Sequence, residues 1–353
     1  MPAKKELLSS IKKRKQFLTV FLLSTCWYWY APPLCGFAAE QVHTNSLENY
    51  LKTLRYDPIA FRYKLNCPLV DGQIGGKKCV FAVSTASMTK IDTSTGRRLK
   101  TLKDLGATMD DPFVGRLTNA SVVIMDRLIL DRIEFSNQPA ELKPVDADFV
   151  HLPFEGMLGL DFLYRNFCLL DCASERLYVR GEKPSAAVSE ALAETLSRSG
   201  FTNVTLRGHF SLALDARVNG QNIEMALHTG STLSLLDASE AKRLDLQTLK
   251  RQRTGSLIPT ERTFLTANIG KEGVHKTRIV KVNSLEVAGV SWQTLYFGVM
   301  NLKDAQAEDN EKSHFPQGTL ASDTLAPQDA LIDFATRKLW FARQTVPRKH
   351  GWD

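Results

Sequence analysis

At 353 residues, with 43% hydrophobic and 24% charged residues, the chain has the composition of a globular protein and the length for two domains of about 150 residues. The formal charge of +7 is concentrated at the N-terminus, where six basic residues and one acid lie in the first fifteen positions. The 39 basic and 37 acidic residues beyond them nearly cancel, so the charge gives no support to a nucleic-acid partner and we expect none.

The N-terminal segment follows the order of a secretory signal. The basic stretch is followed by an apolar run, Phe17–Ala31, and then by small residues at Gly36, Ala38 and Ala39. We therefore assign residues 1–39 to a signal peptide or N-terminal anchor and expect an exported protein, periplasmic or extracellular. The run is short for a membrane span, but its aromatic residues at 27–30 suit a bilayer interface, so an uncleaved anchor stays open. We expect membrane contact through this segment alone.

The next part of the chain predicts a β-hairpin that leads into a short motif. Two apolar runs, Leu65–Ile74 and Lys78–Val83, are separated by a Gly-Gly pair that suits a tight turn. The second run leads directly into Val83–Ser87, which reads Val-Ser-Thr-Ala-Ser. Further on, Asp92 precedes Thr-Ser and resembles a displaced Asp-Thr-Gly motif, but its position predicts a helix cap.

An internal repeat organises the chain. The segment Gly156–Arg180 aligns without a gap with Gly318–Ala342, and eight of the 25 positions are identical. The identical pairs are Gly156/Gly318, Leu158/Leu320, Asp161/Asp323, Leu163/Leu325, Leu169/Leu331, Asp171/Asp333, Ala173/Ala335 and Leu177/Leu339. Earlier in each copy, Tyr56–Arg62 corresponds to Phe201–Arg207, and helix-like stretches at Leu47–Leu54 and Ala187–Leu196 precede them.

The second copy contains its own hairpin and motif. Runs at Leu212–Val218 and Ile223–Leu227 flank Asn-Gly, the strongest short-range hairpin signal. The motif that follows, Leu227–Ser231, reads Leu-His-Thr-Gly-Ser. We therefore expect a first domain at residues 40–184, a second at 185–343 and a C-terminal tail at 344–353.

These motifs resemble those of the retropepsin-like aspartic proteases over residues 45–343. The family pattern is an apolar strand, Asp-Thr-Gly-Ala/Ser, and later two apolar residues and Gly before a second Asp. The later motif corresponds to Leu158 and Gly159 in the first copy and to Leu320 and Ala321 in the second. The resemblance implies a mainly β protein of two tandem closed β-barrel domains, each with short helices, related by a pseudo-twofold axis.

The resemblance also implies that the catalytic residues have been lost. The positions of the two catalytic aspartates are Ser84 and His228, and neither can act as a carboxylate base. The threonines that brace the two halves in the family are kept. The cleft and motif residues to which the resemblance points are Thr85, Ala86, Ser87, Leu158, Gly159, Thr229, Gly230, Ser231, Leu320 and Ala321.

The interpretation that follows is a catalytically inactive homologue, a pseudoprotease, that binds a peptide or protein ligand in the inter-domain cleft. The two domains of one chain would pair with each other, so we expect a monomer. Three alternatives stay open: a hydrolase using an unorthodox Ser84–His228 pair, a residual aspartic endopeptidase, and a partner that supplies the aspartates.

Four cysteines follow the N-terminal segment. Their spacing predicts buried small residues or one structural disulfide, with the pairing open. The histidines show no ligand spacing, so we expect neither a metal nor a cofactor. The cysteines are Cys67, Cys79, Cys168 and Cys172.

Overall fold

The computed structural model describes residues 47–99, 102–105, 110–111, 115–116, 121–143, 154–209, 211–248, 265–266, 275–276, 278–302 and 316–343. The chain divides into two compact units, residues 1–50 and 51–353. Residues 47–50 of the first unit are helical, and the second unit begins with helical residues 51–53. The assigned signal or anchor at residues 1–39 and the tail at 344–353 lie outside the described residues.

The first repeat forms a closed barrel. Its strands are β1 (Asp57–Ala60), β2 (Arg62–Lys64), β3 (Cys67–Ile74), β4 (Lys77–Val83), β5 (Lys90–Asp92), β6 (Leu102–Asp104), β7 (Asp110–Asp111), β8 (Gly115–Arg116), β9 (Ser121–Leu130), β10 (Ile133–Lys143), β11 (Gly156–Leu158), β12 (Leu169–Asp171) and β13 (Arg176–Val179). Six of them follow the order β3-β4-β11-β5-β10-β9, and the pairing of β9 with β3 closes the ring.

The second repeat forms the same barrel. Its strands are β14 (Phe201–Thr205), β15 (Ala213–Val218), β16 (Gln221–Leu227), β17 (Leu235–Asp237), β18 (Leu265–Thr266), β19 (His275–Lys276), β20 (Arg278–Val287), β21 (Val290–Met300), β22 (Gly318–Leu320), β23 (Leu331–Asp333) and β24 (Lys338–Ala342). The closed order β15-β16-β22-β17-β21-β20 matches the first barrel strand for strand. The mainly β, two-barrel fold expected from the sequence is therefore confirmed.

Both predicted hairpins are present. Gly75 and Gly76 connect β3 to β4, and Asn219 and Gly220 connect β15 to β16. All four residues have positive φ, which a two-residue turn matching the strand twist requires. The Asn219 side-chain oxygen also accepts hydrogen bonds from two backbone amides of β20, so the turn is tied to the barrel.

A six-stranded sheet, β1-β13-β12-β23-β24-β14, joins the two repeats. At its centre β12 pairs with β23, and Leu170 lies opposite its own counterpart Ile332. On either side of this pair, Leu169 lies opposite Asp333 and Asp171 lies opposite Leu331, so the same two repeat positions pair in the opposite order. This reciprocal register places a pseudo-twofold axis between the two strands.

The helices are short and lie at strand ends. Besides the helical residues 47–50 and 51–53, they are α1 (Thr93–Leu99), α2 (Leu160–Arg165), α3 (Ala186–Arg198), α4 (Ala238–Arg243) and α5 (Ser322–Leu325), followed by a 3-10 turn at Ala326–Gln328. The Asp92 carboxylate accepts hydrogen bonds from the amides of Ser94 and Thr95 at the start of α1. Asp92 is thus a helix cap, as its position in the sequence predicts. No helix within the described ranges is long and apolar enough to cross a membrane.

The four cysteines are buried and free. Of the two alternatives that the sequence left open, the structure therefore has buried small residues and no disulfide among these four. Cys168 and Cys172 lie beside β12 in the main core, whereas Cys67 belongs to a smaller apolar cluster with Phe154 and Met157. Burial raises the pKa of the Cys67 thiol to about 12, so this residue is a small core side chain and not a reactive thiolate.

Candidate functional site

The two motifs meet at the pseudo-twofold axis. Each begins where a barrel strand ends, β4 at Val83 and β16 at Leu227. The Ser84 amide donates to the Leu158 carbonyl at 3.0 Å, and the His228 amide donates to the Leu320 carbonyl at 2.8 Å. Ser84 and His228 therefore occupy equivalent places in the two repeats. We call residues 84–89 and 228–234, which follow these strands, the motif loops.

Two threonines join the motif loops by reciprocal hydrogen bonds. The Thr85 amide donates to the Thr229 hydroxyl oxygen at 3.2 Å, and the Thr229 amide donates to the Thr85 hydroxyl oxygen at 3.0 Å. The Thr229 hydroxyl in turn donates to the Val83 carbonyl at 2.9 Å. Both threonines are fully buried, so each bond is made without competition from water.

Ser84 lies beneath the opposite motif loop. Its side chain is fully buried, and a Cβ added to Gly230 would lie 2.8 Å from the Ser84 hydroxyl oxygen. Glycine at 230 therefore permits the close approach of the two loops. The same Cβ would lie 3.3 Å from the end of Met157, so this side chain also reaches the axis. The Ser84 hydroxyl accepts a long hydrogen bond from the Ala86 amide, at 3.3 Å.

His228 keeps part of its surface exposed. Burial of the ring lowers its pKa to about 4, and the positive charge of Lys90 acts in the same direction. The imidazole is thus neutral at neutral pH and a weak base. Within the described residues no hydrogen bond joins the Ser84 hydroxyl to His228. The side chains that the sequence brings to equivalent positions are therefore not coupled in the way that a nucleophile and its base require.

The later motif supports the loops from behind. Leu158, Gly159, Leu320 and Ala321 are all buried. The Gly159 Cα lies against the first motif loop, because an added Cβ would lie 2.2–2.4 Å from backbone atoms of residues 87–89. Ala321 occupies the equivalent place with a similar backbone conformation, φ −107° against −92°.

A carboxylate holds each motif loop to the helix behind it. Asp161 of α2 accepts hydrogen bonds from the amide and the hydroxyl of Thr89, both at 2.7 Å. Asp323 of α5 accepts from the amide of Ser234 at 3.0 Å and from its hydroxyl at 2.6 Å. The two aspartates that the repeat alignment pairs thus have the same role, which is to fix the loops.

The buried Asp323 carboxyl is expected to make the free energy of unfolding depend on pH. Burial raises its pKa from 3.8 to about 6, although the hydrogen bonds from Ser234 act in the opposite direction. The folded protein therefore holds this proton more tightly than the unfolded chain does. The resulting stabilisation is complete below pH of about 4 and is lost as the pH rises through about 6. We expect the free energy of unfolding to fall less steeply over this range in Asp323→Asn than in the unchanged chain. Urea unfolding at a series of pH values measures both slopes, and equal slopes would contradict the assignment.

The remaining motif serines differ. The Ser231 hydroxyl donates to the Leu233 carbonyl at 2.8 Å and thereby closes its own loop. The Ser87 hydroxyl is buried without a hydrogen-bond partner among the described residues. Within the described ranges no group of three or more His, Cys, Asp or Glu side chains could hold a metal ion.

Two residues of the site escaped the sequence reasoning. Lys90 begins β5, and its counterpart at the start of β17 is the buried Leu235, so the signal in the sequence is a lysine where the other repeat has an apolar residue. Asn66, between β2 and β3, donates from its side-chain amide to the Thr232 carbonyl at 2.9 Å. This bond joins the first repeat to the second motif loop, and no local sequence pattern predicts it.

One part of the chain matches a known protein family. A family model described as aspartyl protease matches residues 214–323, which hold the second barrel from β15 to β22 and its motif loop. Basic 7S globulin from soybean is 11% identical with a TM-score of 0.47, over 82% of this chain and 95% of that one. A retropepsin-like aspartic protease from Rickettsia conorii is 17% identical with a TM-score of 0.27, over 40% of this chain and 90% of that one. No curated protein matches.

Fold and site together define a double-barrel protein of the aspartic-protease class, in which two motif loops are braced across a pseudo-twofold axis. The aspartyl protease match at residues 214–323, together with the repeat that relates the two barrels, supports a place in the retropepsin-like aspartic protease family.

Proposed function

We propose that this chain is an exported, catalytically inactive aspartic-protease-like protein that holds a peptide or protein ligand in the cleft between its two barrels. The observation that carries the proposal is the pair of residues at the start of the motif loops, Ser84 and His228. Aspartic-protease chemistry needs two carboxylates that share one proton, so that one acts as acid and the other as base. Neither position supplies a carboxylate.

The surroundings of the pair support the loss of catalysis. The Ser84 hydroxyl is buried under Gly230, where a substrate carbonyl has no access to it. The low pKa of His228 makes the ring a poor acceptor for a serine proton. The Asp161 and Asp323 carboxylates accept hydrogen bonds from the motif loops, so we assign neither of them a role in proton transfer.

Binding is supported by what the site retains. The threonine brace and both carboxylate anchors keep the motif loops in place although the chemistry has gone. A fixed cleft between two β-barrels suits an extended, strand-like guest, which main-chain hydrogen bonds can hold. The flaps that would cover it, expected at about Thr101–Ile124 and Thr254–Ile279, lie for the most part outside the described residues. The N-terminal segment supports export.

The test is a peptidase assay on the full chain. A diverse peptide library is incubated with the protein from pH 3 to pH 8, beside a Ser84→Ala, His228→Ala double variant. We expect no turnover by either protein, because no carboxylate pair is present. Turnover by the unchanged chain that is absent in the variant would overturn inactivity and make Ser84 and His228 the catalytic pair. Turnover by both would assign it to other residues and overturn the proposal as well.

A further inference from the structure

Each barrel presents an outward face beside its motif loop. In the second barrel Leu212, Leu227 and Leu320 belong to the core, so strand alternation turns their neighbours outward. The Leu227 amide donates to the Leu212 carbonyl at 2.8 Å, which continues the β15–β16 pairing toward the motif loop. Ser211 therefore lies opposite His228. We call the outward-facing residues of this barrel the second face; they are Ser211, Ala213, Ala226, His228 and Thr319.

The corresponding face of the first barrel is apolar and covered. Met157, Ala82 and Leu69 lie side by side on β11, β4 and β3. With Cys67 they belong to the smaller apolar cluster, and none of the four is more than 3% exposed. We call these four residues the first face. The end of the Met157 side chain lies 3.3 Å from a Cβ added to Gly230, so the first face borders the pseudo-twofold axis.

The second face has smaller or more polar side chains at three of the four equivalent positions. Its ladder is the same, since Ala226 pairs with β15 and β22 as Ala82 pairs with β3 and β11. The replacements from the first face to the second are Met157 by Thr319, Leu69 by Ala213 and Cys67 by Ser211. Because the axis relates the two barrels, the second face borders it as well. Unlike the first face, it is partly open, since Ser211, Ala213 and His228 are half-buried.

Two hydroxyls of the second face are buried without a partner. The side-chain oxygens of Ser211 and Thr319 make no hydrogen bond among the described residues, and Thr319 is only 6% exposed. Between them on the ladder, Ala213 and Ala226 offer methyl groups alone. A buried polar group that stays unpaired is costly, so the two hydroxyls suit a partner that the chain itself does not supply.

The second face carries no charge at neutral pH. Burial lowers the pKa of His228 to about 4, so its ring is neutral, with one N–H donor and one acceptor nitrogen. A guest carboxylate or ammonium group buried here would lose its hydration without gaining a counterion from the face. An apolar guest side chain would leave the hydroxyls unpaired. A neutral group that both donates and accepts hydrogen bonds meets neither penalty.

We propose that the second face selects neutral hydrogen-bonding side chains of the guest, carboxamides or hydroxyls, through the hydroxyls of Thr319 and Ser211. These two residues lie two strand spacings of about 4.8 Å apart, so each pairs with its own guest group. The covered first face has no such role, so the selection acts on one side of the axis. This inference rests on the proposed binding function and names the chemistry of its ligand.

The probe is a pool of random octapeptides, acetylated at the N-terminus and amidated at the C-terminus, passed over the immobilised full chain at pH 7. In the aligned retained sequences, the ratios of Thr to Val and of Asn to Leu compare each polar residue with an apolar one of similar shape. We expect at least one position with about a tenfold preference for the polar residue, the size of one buried hydrogen bond. A preference in the first ratio alone assigns the guest group to a hydroxyl, and in the second ratio alone to a carboxamide.

The decisive variant is Thr319→Val, which keeps the shape of the side chain and removes its hydroxyl. We expect it to bring the preference at one aligned position to about parity. The thermal midpoint of unfolding should stay unchanged or rise, because the hydroxyl has no partner in the folded chain. Thr205→Val makes the same chemical change at an exposed position in β14 and is expected to leave the preference intact.

The other outcomes overturn the inference in distinguishable ways. A lower unfolding midpoint for Thr319→Val, or its failure to fold, would show that the hydroxyl has a partner within the chain. Retention without a polar preference, or with a preference that Thr319→Val leaves intact or that Thr205→Val also removes, would overturn the inference and leave peptide binding standing. Retention no greater than on a blank column would overturn the binding function and the inference together.

Discussion

Gly159→Ala is expected to destabilise the protein by about 3 kcal/mol, because the new Cβ meets backbone and not a movable side chain. It would lie 2.2 Å from the Met88 carbonyl carbon and 2.3 Å from the Ser87 carbonyl oxygen. The φ of Gly159, −92°, suits any residue, so the requirement for glycine is steric alone. Urea unfolding of the full chain measures the loss.

The second repeat supplies a matched control. Ala321 occupies the equivalent position, and Ala321→Gly is expected to cost about 1 kcal/mol at most, mainly by increasing the entropy of the unfolded chain. The first copy has nine residues from Ser84 to the capping Asp92, whereas the second has ten from His228 to Asp237. We attribute the different requirement at 159 and 321 to this one-residue difference in loop length. Equal effects of the two substitutions would contradict this explanation.

Thr229→Val is expected to lower the free energy of unfolding by about 3 kcal/mol. The substitution keeps the shape of the side chain but removes two buried hydrogen bonds, from the Thr85 amide and to the Val83 carbonyl. Each backbone group then stays buried without that partner, and the cost of such a group is about 1–3 kcal/mol. The measurement is again chemical denaturation of the full chain.

The two threonine hydroxyls make different numbers of hydrogen bonds across the motif loops, so Thr85→Val can be compared with Thr229→Val. The Thr85 hydroxyl accepts from the Thr229 amide, and this is the one bond that the valine is expected to remove. Its effect should be about half that of Thr229→Val. The double variant should cost less than the sum of the two single losses, because both act on one interface between the motif loops. Additive and equal losses would show that the threonines stabilise their own barrels separately.

Much of the fold follows from local patterns. Gly-Gly and Asn-Gly between apolar runs specify the two hairpins, since few residues adopt positive φ at both turn positions. The ungapped repeat specifies the pseudo-twofold relation, because equivalent segments form equivalent strands and Leu170 then meets Ile332. The capping role of Asp92 follows from its place between a strand and a helix.

The sequence by itself determined that two copies of one barrel are present, because a repeat is read directly from residue order. That Ser84 and His228 stand in place of the family's carboxylates stays a prediction from the same repeat. The tertiary structure decided the rest. It places Ser84 under Gly230 without a hydrogen bond to His228, leaves the cysteines free, requires glycine at 159 but not at 321, and brings Lys90 beside the axis. Each of these depends on distances between segments far apart in the chain, which no local pattern encodes.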